Sequence, residues 1–243
     1  MAGTPAARPV IPLSLAVLPV LLACLLSAPV TAGSFRISPT LADVPPGASM
    51  ATFRVQNSGG TPLTLQVTAK KWGQHNGEDI LVSTGSLLVV PPISTIAPGA
   101  SQVVRVALQQ PRPKRELAYR VFFHEVPPPP APGTIGVQTA LRLSIPLFFA
   151  PEKTAEELDW KVQRAANGKL RLTAHNRGTR FARLTGLGLT AGRHALTQLD
   201  GPLYILAGTR RHWLLPEPPA KTRRLTLSLE AGHEKEQRVL MLK

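Results

Sequence analysis

The sequence predicts an all-β protein built as two immunoglobulin-like sandwich domains. Three observations predict it. The 25 prolines and 19 glycines, with 43% hydrophobic and 5% aromatic residues, suit many short strands joined by turns better than long helices. Apolar residues recur at period two in short runs between turn residues. One polar, acidic stretch near residues 150–159 interrupts the series, and 243 residues suffice for two cores of ordinary size.

Residues 1–32 stand apart from the fold. Arg8 is the only charge among them, Val10 to Leu26 is almost unbroken Val, Leu, Ile, Ala and Pro, and Val30-Thr31-Ala32 supplies small residues before Gly33. That is the pattern of a signal peptide cleaved after Ala32. Its prolines and modest apolar length argue against a retained membrane anchor. Leu21-Leu22-Ala23-Cys24 also looks like a lipoprotein box, but the residues after Cys24 stay apolar and a better cleavage site follows. Cys24 is the only cysteine, so a mature chain has no disulfide and depends on burial for stability.

The first domain is expected over 33–151. Thr52 to Gln56 alternates, and Leu63, Leu65, Val67 and Ala69 share one face of the next run. Asn57 to Gly60 and Pro98-Gly99 read as turns. Ser86 to Val90, Gln102 to Leu108, Tyr119 to Glu125 and Gly136 to Phe149 complete about seven strands, a spacing that suits an immunoglobulin-like sandwich. Ala150 to Asp159, with Glu152, Glu156 and Glu157, reads as a linker. A second, smaller sandwich over 152–243 follows from the alternation at Leu170, Leu172 and Ala174, then Leu184 to Leu189, Leu203 to Leu215, and Leu225 to Leu229.

The charge balance, 28 basic against 14 acidic residues, remains strongly basic once Arg8 is removed. The cations are scattered through strand-like runs of an exported chain, which argues against nucleic acid and for steering of an acidic partner or a free carboxylate. Enzyme chemistry finds little footing. His75, His124, His175, His194, His212 and His233 lie far apart with no metal-binding spacing, so no metal or other cofactor is expected. No nucleophile elbow or glycine-rich phosphate loop is present, and Glu78-Asp79 and Glu156-Glu157 fall in turn-like or linker segments. His124 beside Glu125 marks a strand end. An exported adhesive or carbohydrate-binding module would need aromatic platforms, whereas Trp72, Trp160 and Trp213 each adjoin apolar strand residues and read as core.

Gly136 to Pro146 places Val137, Thr139, Leu141, Leu143 and Ile145 on one face and Gln138, Ala140, Arg142 and Ser144 on the other. An ordinary core strand shows the same alternation, so period alone does not decide its role. The proline-rich Val126 to Gly133 before it suits a loop leading to an edge strand.

Pro91-Pro92, Ile96, Pro98-Gly99 and Gln102-Val103-Val104-Arg105, together with Tyr119-Arg120-Val121, Glu125, Pro127 and Leu143-Ser144-Ile145-Pro146-Leu147-Phe148, form a combination that resembles the periplasmic pilus chaperones of the chaperone-usher pathway, the PapD-like superfamily. Gly168-Lys169-Leu170, Asn176-Arg177-Gly178 and Tyr204 to Trp213 extend the resemblance more weakly, and Leu143 to Pro146 looks most like the archaic Csu-type branch.

The resemblance implies two sandwiches set at an angle, no catalysis, pilus subunits and an outer-membrane usher as partners, and residues 136–146 as the strand lent to a subunit. Burying each large apolar side chain contributes roughly 1.5 to 3 kcal/mol, so four would supply about 6 to 12 kcal/mol before ordering costs. The best-known members grip the subunit's terminal carboxylate with a basic pair at positions that here read Leu41 and Pro146. The resemblance then moves the anchor to Arg120, with Arg142 as second choice, although a solvated strand arginine would look the same. It also implies a structural ion pair between Arg105 and Glu116 near the domain junction.

Overall fold

The protein is described by a computed structural model over residues 35–111, 114–129, 139–165 and 168–242. The signal-peptide expectation, Cys24 and Val137 lie outside the described residues. Every regular element within them is a strand.

The first ten strands are β1 (Phe35–Ser38), β2 (Ala42–Val44), β3 (Met50–Asn57), β4 (Leu63–His75), β5 (Glu78–Ser83), β6 (Leu87–Val90), β7 (Ile93–Ile96), β8 (Ser101–Leu108), β9 (Leu117–Glu125) and β10 (Arg142–Phe149). They form two facing sheets, one ordered β1-β3-β8-β6 and the other β2-β10-β9-β4-β5 with β7 also paired to β4. The predicted alternation is what fills the space between them. Phe53 and Val55 on β3, Leu65 and Val67 on β4, Val104 and Val106 on β8, and Tyr119, Val121 and Phe123 on β9 are buried in one core. Their neighbours in sequence point to the opposite face, as period two requires, although on β9 Ala118 and Phe122 are buried there as well.

The second sandwich comprises β11 (Leu158–Arg164), β12 (Leu170–Asn176), β13 (Ala182–Ala191), β14 (His194–Ile205), β15 (Arg210–Leu215), β16 (Arg224–Ala231) and β17 (Glu234–Met241). Its sheets are ordered β11-β12-β15 and β14-β13-β16-β17. Leu170, Leu172, Leu187, Leu189, Ile205, Leu225 and Leu227 are fully buried between them.

Each sandwich carries the same amide device. The Asn57 side chain donates to the carbonyls of Thr61 and Ile96 at 2.8 and 3.0 Å, and accepts from the Gly59 amide at 2.9 Å. Asn176 donates to the carbonyls of Arg180 and Ile205 at 2.7 and 2.9 Å, and accepts from the Gly178 amide at 2.9 Å. A short side chain that mimics a turn's backbone while tying a distant strand suits Asn and no apolar residue. These are the only buried polar or charged residues among those described, and both are satisfied.

Leu158 and Asp159, at the end of the expected linker, open β11, whereas residues 150–157 contain no strand. They are pinned to the turn after β12: the amides of Thr179 and Arg180 donate to the Ala155 carbonyl, and the Arg177 amide to that of Glu157. Gly178 is needed there, because a Cβ would run into the Ala155 carbonyl oxygen.

Four short strands have no sequence signal. β5 is exposed along its whole length, so it has no buried face to impose a period. It exists because Asn76 and Gly77, at φ 51° and 84°, close a two-residue turn that folds it back on β4. Glu78 and Asp79, expected in a turn, open this strand. β1, β2 and β7 are three or four residues long, too short for a pattern to repeat.

Candidate functional site

β10 borders the site. On one side it pairs with β9 over its full length, from Arg142 opposite His124 to Phe149 opposite Leu117. On the other it pairs with β2 only at Leu147, Phe148 and Phe149. Residues 142–146 therefore present one unpaired backbone edge among the described residues. Pro146, which has no N–H to donate, sits where the pairing stops, as proline in a sheet tends to.

The two faces of this strand do different work. Ile145, Leu147 and Phe149 are buried in the first sandwich's core, and Leu141 and Leu143 are half-buried against the same core. Thr139 is exposed. On the opposite face Arg142 and Ser144 are exposed, while Phe148 is fully buried. The strand's start is held by Glu125, whose amide donates to the Leu141 carbonyl at 2.9 Å and whose carboxylate accepts from the Leu141 amide at 3.1 Å. Among the described residues the regular strand is 142–149, ending where the expected 136–149 run ends, while residues 139–141 carry no strand and 136–138 lie outside the described residues.

Arg120 lies beside Pro146 on β9, half-buried, with its guanidinium carbon 3.8 Å from the centroid of the Trp72 ring and 5.6 Å from that of Tyr204. Burial lowers its pKa from the ordinary value; Tyr204 and Asp79 act the other way. Among the described residues no carboxylate comes within ion-pair distance of it, since Asp79 pairs with Arg211 at 3.3 Å. A half-buried cation seated over an indole, with no carboxylate paired to it among the described residues, can take up a carboxylate. Arg142 instead lies over the Phe122 ring at 4.5 Å on the exposed face. His124 beside it is held below the ordinary imidazole range by desolvation, then by the charges of Arg142 and Lys70. The same sheet face therefore carries cations from the free edge inward.

The family model for pili and flagellar-assembly chaperones, PapD N-terminal domain, matches residues 34–155, half of the chain. The chain belongs to that family. No curated protein sequence matches this pilus chaperone. Solved structures do. The chaperone–tip subunit pre-assembly complex CsuC–CsuE, from archaic chaperone-usher Csu pili of Acinetobacter baumannii, is similar at 22% identity and TM-score 0.66, covering 86% of this chain and 99% of that one. The Salmonella enterica SafA pilin–SafB chaperone complex is similar at 19% identity and TM-score 0.61, covering 86% and 97%. The YadV chaperone matches at 18% identity and TM-score 0.63, covering 85% and 99%. These likenesses establish the two-sandwich chaperone fold.

In this pilus chaperone Leu41 is partly buried against aromatic rings and Pro146 is buried, so neither position offers a charge. The expected Arg105–Glu116 ion pair is absent. Arg105 sits exposed on β8, in the sheet facing away from the junction, and no ion pair joins it to Glu116. Glu116 instead crosses the junction: its Oε1 accepts from the Phe181 amide at 2.9 Å, and its own amide donates to the Thr179 carbonyl at 3.0 Å.

The junction itself was not legible in the sequence. Trp72, Ala118 and Phe148 from the first sandwich meet Phe181, Tyr204 and Leu206 from the second in a buried cluster, with Phe148 stacked on Phe181 at 3.9 Å. Trp72, expected in a core, is buried here. Trp160 is buried and Trp213 half-buried in the second sandwich, stacked at 6.0 Å, so none of the three offers an exposed platform. The only available signal was Phe148, an apolar residue on the polar face of an alternating strand. Among the described residues no group of His, Cys, Asp and Glu is arranged to hold a metal, and no helix is long and apolar enough to cross a membrane.

Proposed function

We propose that this pilus chaperone works in the periplasm after signal cleavage, capping pilus subunits by donor-strand complementation and passing them to an outer-membrane usher. The observation that carries the reading is the unpaired edge of residues 142–146, beside half-buried Leu141 and Leu143. A sandwich lacking its last strand exposes a groove and two open edges, which is an aggregation hazard. Donor-strand complementation of pilins is a known case of strand addition: main-chain bonds hold the strand while alternate side chains fill pockets. The relatives CsuC and SafB are described in complex with a tip subunit and a pilin.

Ile145 is already buried in its own core, so the described apolar residues with surface left to lend are Leu141 and Leu143. They contribute at most about 3 to 6 kcal/mol, and Val137 and the pairing of main-chain groups would supply the remainder. A donor of modest strength suits a chaperone that must release its cargo. Arg120 is the carboxylate anchor in this reading, and Arg142 at the exposed end of the strand is an auxiliary cation.

Co-expression with candidate subunits and co-purification tests the proposal. Leu141→Asp and Leu143→Asp are expected to abolish subunit recovery while the chaperone stays folded by circular dichroism. Normal recovery with both variants would rule out the donor face.

A further inference from the structure

The outward face of the β11-β12-β15 sheet carries three cations without acidic partners. Its cross-strand rows read Asp159, His175 and Arg210; then Lys161, Thr173 and His212; then Gln163, Arg171 and Leu214. Asp159 is already paired with Arg177 at 2.9 Å. Lys161, Arg171 and Arg210 are all exposed, and among the described residues none has a carboxylate within ion-pair distance. Of the three, Arg210 acts on His175, which desolvation first and then the charges of Arg210 and Arg177 hold below the ordinary imidazole range, against Asp159 and Glu157.

The face is walled on one side. The Asn76-Gly77 tip of the β4–β5 hairpin rests on it, with the His212 ring packed against Gly77. Between tip and sheet lies a cleft of about 830 Å³, and no acidic residue lines it. A flat bilayer cannot enter such a cleft. Strands lie about 4.8 Å apart and alternate residues about 7 Å apart along them, so the three cations spread over about 8 to 15 Å. That span exceeds a single phosphate and matches a few residues of extended chain.

We propose that this cleft receives an acidic extended segment of a protein partner, with Lys161, Arg171 and Arg210 each taking a carboxylate. The site is separate from β10 and does not depend on strand donation.

Fluorescence anisotropy on the purified protein, with a labelled peptide alternating glutamate and serine, tests it in the absence of any subunit. Binding is expected to weaken with salt, and the triple variant Lys161→Gln, Arg171→Gln, Arg210→Gln to lower affinity about tenfold or more. Arg193→Gln, Arg223→Gln, Arg224→Gln removes the same charge from exposed positions elsewhere in this domain and is expected to bind as wild type. Thr173→Glu, which sets a carboxylate among the cations, gives an independent loss. Equal weakening of both triple variants, no peptide binding, or tighter use of the three cations by inorganic phosphate or phosphatidylglycerol vesicles than by the peptide would overturn the proposal.

Discussion

Glu116 holds the backbone of Phe181 across the junction: Oε1 accepts the Phe181 amide at 2.9 Å, while Oε2 is buried without a hydrogen-bond partner. Burial, reinforced by the nearby charge of Asp43, pushes its carboxyl up from the ordinary 4.5 to about 8, against the opposing pull of Phe181 and Arg180. Asp43, on β2, pairs with Arg180 beside it, so the two sandwiches are joined by a tightly spaced polar cluster. The neutral acid is the form this site favours.

A carboxyl that binds its proton more tightly when folded adds stability at low pH. That contribution is complete below about 4.5 and is lost as pH rises towards about 8. Thermal melts over this range are expected to show a flatter pH dependence for Glu116→Gln than for wild type, with the variant at least as stable near pH 8. An unchanged slope would mean that folding does not raise the proton affinity of Glu116.

Gln74, at the end of long β4, is saturated by its neighbours. Its amide nitrogen donates to Asp79 and to the Tyr204 carbonyl, both at 2.8 Å, and its oxygen accepts from the Leu206 amide at 3.0 Å and the Thr209 hydroxyl at 2.8 Å. In Gln74→Ala the Tyr204 carbonyl keeps Arg211 and the Thr209 hydroxyl keeps the Leu206 carbonyl, but the Leu206 amide is orphaned. A loss of about 1 to 3 kcal/mol is expected in urea titration, with faster hydrogen exchange at Leu206.

Asn57→Ala and Asn176→Ala each remove a donor from two carbonyls and an acceptor from a turn amide in a buried setting. Each is expected to cost about 2 to 4 kcal/mol by denaturant titration. Similar losses from the two would show that the repeated device does the same work in both sandwiches.

Arg120→Ala is expected to leave the fold intact and lower co-purification of subunit, whereas Arg120→Lys, which keeps the charge but loses the guanidinium over Trp72, is expected to recover part of it. Full subunit recovery with alanine would reduce Arg120 to a packing role.

Much of the architecture could be read before any coordinates. Period two at Thr52 to Gln56, at Leu63 to Ala69 and at Leu170 to Ala174 identifies buried faces, because a strand half in water must alternate. The acidic stretch after Phe149 marks the break between sandwiches for a related reason: its charges give it no face to bury. The amino-acid order alone thus specified an all-β chain of two immunoglobulin-like sandwiches.

Only tertiary structure could decide which edge of β10 is open, that Phe148 on its polar face belongs to the junction, and that Glu116 answers to Phe181 and not to Arg105. Alternation reports one strand's exposure to water, and carries no information about which strand or domain lies across from it. Edges, junctions and ion pairs are relations between segments distant in sequence, and they exist once the chain has closed.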